Sequence, residues 1–203
     1  MITLLLITVL TASGSAPAWL TQVGDPAGIT SVHATASVTV SDGLTYDAIT
    51  LYEGPDQARF TRVYEDRTVA HRVDGEKVWQ IEGDTETEVG AFYGMFVMGH
   101  QIHAQILFFD QIHPDASEPV PARFDGQDCF AVAAGGEFSW RLYYPEDGLP
   151  LGMGLPREEG SPIVYVFEDW REVDGVQLPH AVFIDDGERQ FDYRFTEVEI
   201  QRF

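Results

Sequence analysis

The chain has 203 residues, 44% hydrophobic and 12% aromatic, enough for one domain with a substantial core and too apolar for wholesale disorder. Acidic residues outnumber basic ones 33 to 12, a formal net charge of −21. That balance excludes the Lys and Arg clusters that nucleic acid, or purely electrostatic docking on an anionic membrane, would require. The acidity reads first as solubilising surface charge, and it is also compatible with a halophilic or marine source or with a basic partner.

Met1 to Ala18 reads MITLLLITVLTASGSAPA. An apolar run from Ile2 to Leu10 leads into small residues ending in Ala16-Pro17-Ala18, a secretory signal pattern too short to span a membrane. No Lys or Arg precedes the run, so a wrongly assigned start or a short buried segment is the alternative. The expectation is export, to the periplasm or otherwise, with residues 1–18 as signal and 19–203 as a single domain. Cys129 is the only cysteine, which excludes an intrachain disulfide and reads as a small buried apolar residue.

Trp19 to Gly28 predicts a helical turn or two before the first strand. From Ser31 to Val40, Val32, Ala34, Ala36, Val38 and Val40 alternate with polar residues, the period of a strand with one wet face. Further strands are predicted at 44–52, 58–65, 68–73 and 77–82; Phe60, Arg62 and Tyr64 share one face of theirs, and Trp79 and Ile81 one face of theirs. Asp-Gly pairs begin at positions 42, 74, 125, 147, 174 and 186. Such pairs between apolar runs favour tight hairpins, because Gly accepts a positive φ, and the short links favour an antiparallel meander. After a linker at Pro114 and Pro119 to Pro121, strands are predicted at 123–133 and 137–144, the latter with Phe138, Trp140, Leu142 and Tyr144 on one face. The Gly/Pro-rich run 148–156 is a strand or loop, and strands at 163–172, 176–184 and 190–200 complete the chain.

One stretch differs. Val89 to Phe109, VGAFYGMFVMGHQIHAQILFF, contains no Asp, Glu, Lys or Arg. Met95, Met98, Ile102, Ile106 and Phe109 recur at spacings of three and four, which predicts one helix, apolar nearly all round and therefore enclosed. The fold expected is α+β, mainly β: a curved antiparallel sheet forming an incomplete β-barrel, with this helix as lid or plug. Whether sheet and helix enclose a cavity or a packed core stays open.

The strand SVHATASVTV, the segment VDGEKVWQI and the run YVFEDWREVDGVQLPHAVFI resemble the outer-membrane lipoprotein carrier superfamily (LolA/LolB-like), including its lipoprotein-sorting-like relatives. The resemblance covers about residues 30 to 200 and implies an unclosed β-barrel whose helical lid encloses a hydrophobic cavity for acyl chains in the periplasm. By position it implies Phe60, Trp79 and Ile81 lining the sheet side, and Met95, Met98, Ile102, Ile106 and Phe109 the lid. Arg62, between Phe60 and Tyr64, would hydrogen-bond the lid backbone or a ligand carbonyl. The partners implied are a lipid or an acylated protein, with transient membrane or membrane-protein contact; no cofactor is implied.

Chemistry of other kinds finds little support. His100 and His103, three apart, would face one way on a helix and with Asp110 or His113 could hold zinc or iron. They equally suit hydrogen bonds to carbonyls at a cavity rim. There is no G-x-S-x-G, no H-E-x-x-H and no Gly-rich phosphate loop. The function expected is a non-enzymatic binder of acyl chains, lipid or lipoprotein. A structural or interaction domain of the same fold, or a His-based metal-dependent enzyme, is the alternative.

Overall fold

The computed structural model describes residues 18–54, 56–134, 140–155 and 162–203. The signal-pattern residues before Ala18 and Phe138 therefore lie outside the described residues. Thirteen strands form one sheet. The first six are β1 (Ile29–Val40), β2 (Thr45–Gly54), β3 (Gln57–Val63), β4 (Thr68–Asp74), β5 (Lys77–Glu82) and β6 (Thr85–Val89). After the helices come β7 (Val120–Phe124), β8 (Gln127–Ala133), β9 (Arg141–Tyr144), β10 (Gly152–Leu155), β11 (Ile163–Val173), β12 (Val176–Asp185) and β13 (Gln190–Arg202). The helices are α1 (Ala18–Val23), α2 (Phe92–Gly99), α3 (Ile102–Leu107) and α4 (Phe109–Ile112).

The sheet order is β6-β5-β4-β3-β2-β1-β13-β12-β11-β10-β9-β8-β7, antiparallel in the pairings of every neighbouring pair, with β6 and β7 at its two open edges. This is the incomplete barrel with helices that the alternation predicted. The glycine of each Asp-Gly pair (Gly43, Gly75, Gly126, Gly148, Gly175 and Gly187) has a positive φ. At Asp174-Gly175 both residues do, φ 48 and 82, the geometry of a type I′ hairpin. The sheet curls strongly. Arg62 on β3 and Leu155 on β10 line the same pocket, although six strand spacings separate them, about 29 Å if the sheet were flat.

The central strand β1 keeps its predicted alternation, with Val32, Ala34, Ala36, Val38 and Val40 almost wholly buried. Its partners β2 and β13 pack around it, and α1 inserts Trp19, fully buried, edge-on to Phe109 and near Tyr144. The helical chain thus closes over the concave face as the core's second layer.

Three expectations change. The apolar stretch is not one helix: Val89 ends β6, and the rest divides into α2, α3 and α4. The last turn of α2 tightens, with His100 and Gln101 donating to the carbonyls of Val97 and Met98, three residues back. Gln101 then leaves helical geometry (φ −82, ψ 51), and its Nε2 donates to the Arg59 carbonyl on β3 at 2.9 Å. Gln105 Nε2 donates back to the same Met98 carbonyl at 3.2 Å, a second bond onto the acceptor that the Gln101 N–H reaches. A straight helix apolar on all sides would leave one side in water. Three short pieces can follow the curved sheet instead.

The second change is β6, TETEV, too polar to announce itself; its exposed Glu86 and Glu88 pair with Arg72 of β4 and Lys77 of β5, and charge suits an open edge. Third, the expected linker at Pro119 to Pro121 runs into strand β7, where an edge position tolerates Pro121's missing N–H. The Gly/Pro-rich run, expected as strand or loop, contains the short strand β10, whose Gly152 is pressed between Phe124 and the Tyr165 carbonyl.

Candidate functional site

Between α2 and the concave face lies a pocket of about 340 Å³. Phe92, Met95, Phe96, Gly99 and His100 of the α2 region form its roof. Leu44, Tyr46, Arg62 and Tyr64 form the wall at β2 and β3, and Leu155, Ile163, Tyr165, Ile184 and Phe191 the wall across the curl, with Trp140 beside them. Phe92 stands 70% exposed and Leu44 41%, leaving an apolar lip open to solvent. Volume and lining both match small-molecule sites, which run from ~300 to ~1,000 Å³ and are mostly apolar with a few placed polar groups. A larger hollow of about 470 Å³, between α1 and α4, includes Asp25, Asp110 and Gln111 in its lining and no cation or histidine.

The sheet's alternation decides which residues reach the pocket. Phe60, Arg62 and Tyr64 point to the concave face from β3; Ala48 on β2 pairs with Arg62, which puts Tyr46 diagonal to it. The Phe60 ring is fully buried and stacks on His100, ring centres 4.1 Å apart, so it backs the pocket through that histidine. Trp79 and Ile81 do not join it. Phe60 pairs with His71 and His71 with Gln80, so Gln80 and Val78 take the inner face of β5 and Trp79 the outer one. There Trp79 lies 5.6 Å from the Lys77 ammonium.

Of the stripe expected to form a lid, Met95 lines the pocket and Met98 is partly buried against the core. Ile102, Ile106 and Phe109 are core residues at 1%, 0% and 1% exposure. The break after α2 separates roof from core, and only the roof faces the hollow. Tyr46, Phe92, Phe96, Trp140 and Tyr165 are pocket residues that sequence reasoning missed. For Tyr46, the alternation Tyr46, Ala48, Thr50, Tyr52 in β2 was the available signal.

Three groups give the pocket its polarity. His100 Nδ1–H donates to the Phe96 carbonyl at 2.7 Å, which leaves Nε2 unprotonated. Burial pushes its pKa down to about 4, with the charges of Arg62 and His71 adding to that and the Phe96 bond opposing it. Tyr46 and Tyr193 share a hydrogen bond between hydroxyls 3.1 Å apart. Burial raises the pKa of both, so each keeps its proton at neutral pH. The Arg62 guanidinium lies over the Phe96 ring at 5.3 Å and the Phe60 ring at 6.0 Å. Its Nε is buried without a hydrogen-bond partner, and among the described residues no carboxylate lies within ion-pairing distance of it. The expected bond from Arg62 to the lid backbone is not made among the described residues.

The two histidines are each engaged with a backbone carbonyl, His100 with that of Phe96. His103, in α3, donates Nε2–H to the Pro179 carbonyl at 2.9 Å and packs edge-on to Phe195. His113 Nε2 bonds Gln105. Among the described residues no group of three or more His, Cys, Asp or Glu could hold a metal ion. Cys129 is buried and its thiol pKa is raised by that burial, which suits an inert residue. The motif around Asp169 to Gly175 is architectural: Arg171 forks onto the Asp169 carboxylate at 2.6 and 3.1 Å, and Asp174 at the turn accepts from Arg202.

No protein-family model and no curated protein matches the chain. Solved structures do. A LolA superfamily protein from Nitrosomonas europaea superimposes with a TM-score of 0.58 at 11% identity, over 90% of this chain and 90% of that one. A DUF1329 family protein from Desulfovibrio piger gives a TM-score of 0.58 at 11% identity, over 87% and 88%. LprF from Mycobacterium bovis gives 0.36 at 15% identity over 88% and 90%, too low to carry an argument. Likeness at 11% identity shows the fold alone: this chain shares the fold of that LolA superfamily protein, here an unclosed antiparallel barrel with helices across its concave face.

Proposed function

We propose that this chain is an exported, non-enzymatic protein that binds acyl chains, as free lipid or on an acylated protein, between its curled sheet and α2. The observation that carries the reading is the pocket under α2, lined by Met95, Phe96, Trp140, Ile163 and Ile184 and opening at Phe92 and Leu44. Each CH₂ transferred there from water contributes about 0.8 kcal/mol, so an aliphatic chain can be held without a dedicated polar site. The exposed aromatic Phe92 beside the mouth suits transient contact with a membrane or membrane protein during loading. Export rests on the apolar run and Ala16-Pro17-Ala18 pattern at the N-terminus, which leave 19–203 as the single mature domain.

Native mass spectrometry of protein extracted without detergent is the test, followed by displacement of a fluorescent acyl probe. Co-purifying lipid, and probe binding that Met95→Trp weakens, are expected. A lipid-free protein that takes up no probe at any chain length would leave the structural or interaction role.

A further inference from the structure

We infer that the pocket selects a single-chain amphiphile with a free carboxylate head, held inside the pocket by Arg62 and by Tyr46, whose hydroxyl is backed by that of Tyr193. This rests on the acyl-chain reading above and names the class of chain.

The argument begins with an unbalanced charge. In a protein of net charge −21, Arg72, Arg171, Arg194 and Arg202 each hold a carboxylate. Arg62 holds none among the described residues, although its Nε is buried and its guanidinium lies against an aromatic ring. A partly buried cation without a counter-charge is costly, and a ligand anion would relieve that cost through charge-assisted hydrogen bonds. The neighbouring hydroxyls ask for the same chemistry. Of the two protons on Tyr46 and Tyr193, one is used between them, and the accepting hydroxyl keeps its own to donate elsewhere. Tyr46 lines the pocket diagonal to Arg62, and with Tyr193 donating the shared bond its phenol, like the guanidinium, has a donor for a ligand oxygen. A carboxylate accepts at both oxygens and donates nothing, which fits a guanidinium that only donates beside a phenol with a proton to give.

The rim sets the orientation. Asp186 stands there, its carboxylate accepting the backbone N–H groups of Glu188 and Arg189, and Arg189 is drawn toward Asp42 at 3.9 Å. Among the described residues no uncompensated cation is thus offered at that rim, and an anionic head gains more at Arg62. Volume sets the number of chains. At about 340 Å³ the hollow stands near the small end of ligand sites, suited to one chain rather than the several of a diacyl or triacyl lipid.

The experiment titrates lipid-stripped protein with dodecanoate, dodecan-1-ol and methyl dodecanoate by calorimetry, below their micelle concentrations, at neutral pH. Dodecanoate is expected to bind about tenfold or more tightly than the other two, the worth of one charge-assisted hydrogen bond. Arg62→Gln should erase that preference, and Tyr46→Phe should reduce it in part. Equal affinity for all three ligands in the wild-type protein would overturn the carboxylate assignment and leave acyl binding standing, with no variant needed to decide it. Failure of all three to bind folded protein, verified by circular dichroism, would remove the acyl reading itself.

Discussion

His103 is where acid should first cost this fold its stability. The imidazole is 2% exposed, donates Nε2–H to the Pro179 carbonyl, and packs against Phe195. Burial pushes its pKa down from 6.5 to about 4; the Pro179 bond pulls the other way, and nearby His180 adds to the depression. In the unfolded chain the ring binds a proton near pH 6.5, whereas the folded ring stays neutral until about pH 4, so the unfolded state gains protons first. Stability contributed by the neutral ring is whole above pH 6.5 and is lost as pH falls toward 4. The loss is about 2 kcal/mol at pH 5 and approaches about 3 kcal/mol below pH 4. His100, with the same depression, adds a second loss of the same sign.

Urea unfolding of wild type and His103→Gln at pH 7.5 and pH 5 isolates the effect. Glutamine keeps an Nε donor for the Pro179 carbonyl and cannot titrate. Relief of carboxylate repulsion on acidification acts on both proteins alike and cancels in the difference. The variant should lose about 2 kcal/mol less than wild type between the two pH values. An equal loss in both would refute the reasoning, because it would place the acid sensitivity elsewhere.

Other substitutions separate core, pocket and outer face. Gly152→Ala would drive a methyl into the Tyr165 carbonyl and the Phe124 ring, and should cost about 3 kcal/mol or more by thermal unfolding. Ile106→Ala, at a fully buried α3 position, should cost roughly 2–5 kcal/mol while folded protein still binds an acyl probe. Met95→Trp should do the reverse, filling the pocket and weakening probe binding about tenfold or more with little change in melting temperature. Trp79→Ala, on the outer face beside Lys77, should leave probe affinity unchanged and shift stability by about 1 kcal/mol or less.

The sequence by itself marked most of the sheet through local signals, β6 and β7 excepted. Alternation in β1 depends only on which residues share a face, and each Asp-Gly pair on a φ that glycine alone adopts freely; both are local, and both appear where they were expected. It also marked Val89 to Phe109 as a segment that must be enclosed. Tertiary structure decided how. The break in that segment is held by Gln101 reaching the Arg59 carbonyl, 42 residues away, and His103 reaching the Pro179 carbonyl, 76 away. No helical period encodes such partners, so the stripe that read as one lid became a roof at Met95 and a core at Ile102 and Ile106.

The site divides the same way. Phe60, Arg62 and Tyr64 were legible as one face of a strand. Trp79 was misplaced because a strand's own pattern tells which residues share a face, and cross-strand register tells which face turns inward. The hydroxyl pair of Tyr46 and Tyr193 joins residues 147 apart, brought together only because β1 lies between β2 and β13. That curl, closing β3 toward β10, made a pocket where the sequence supplied only two apolar faces.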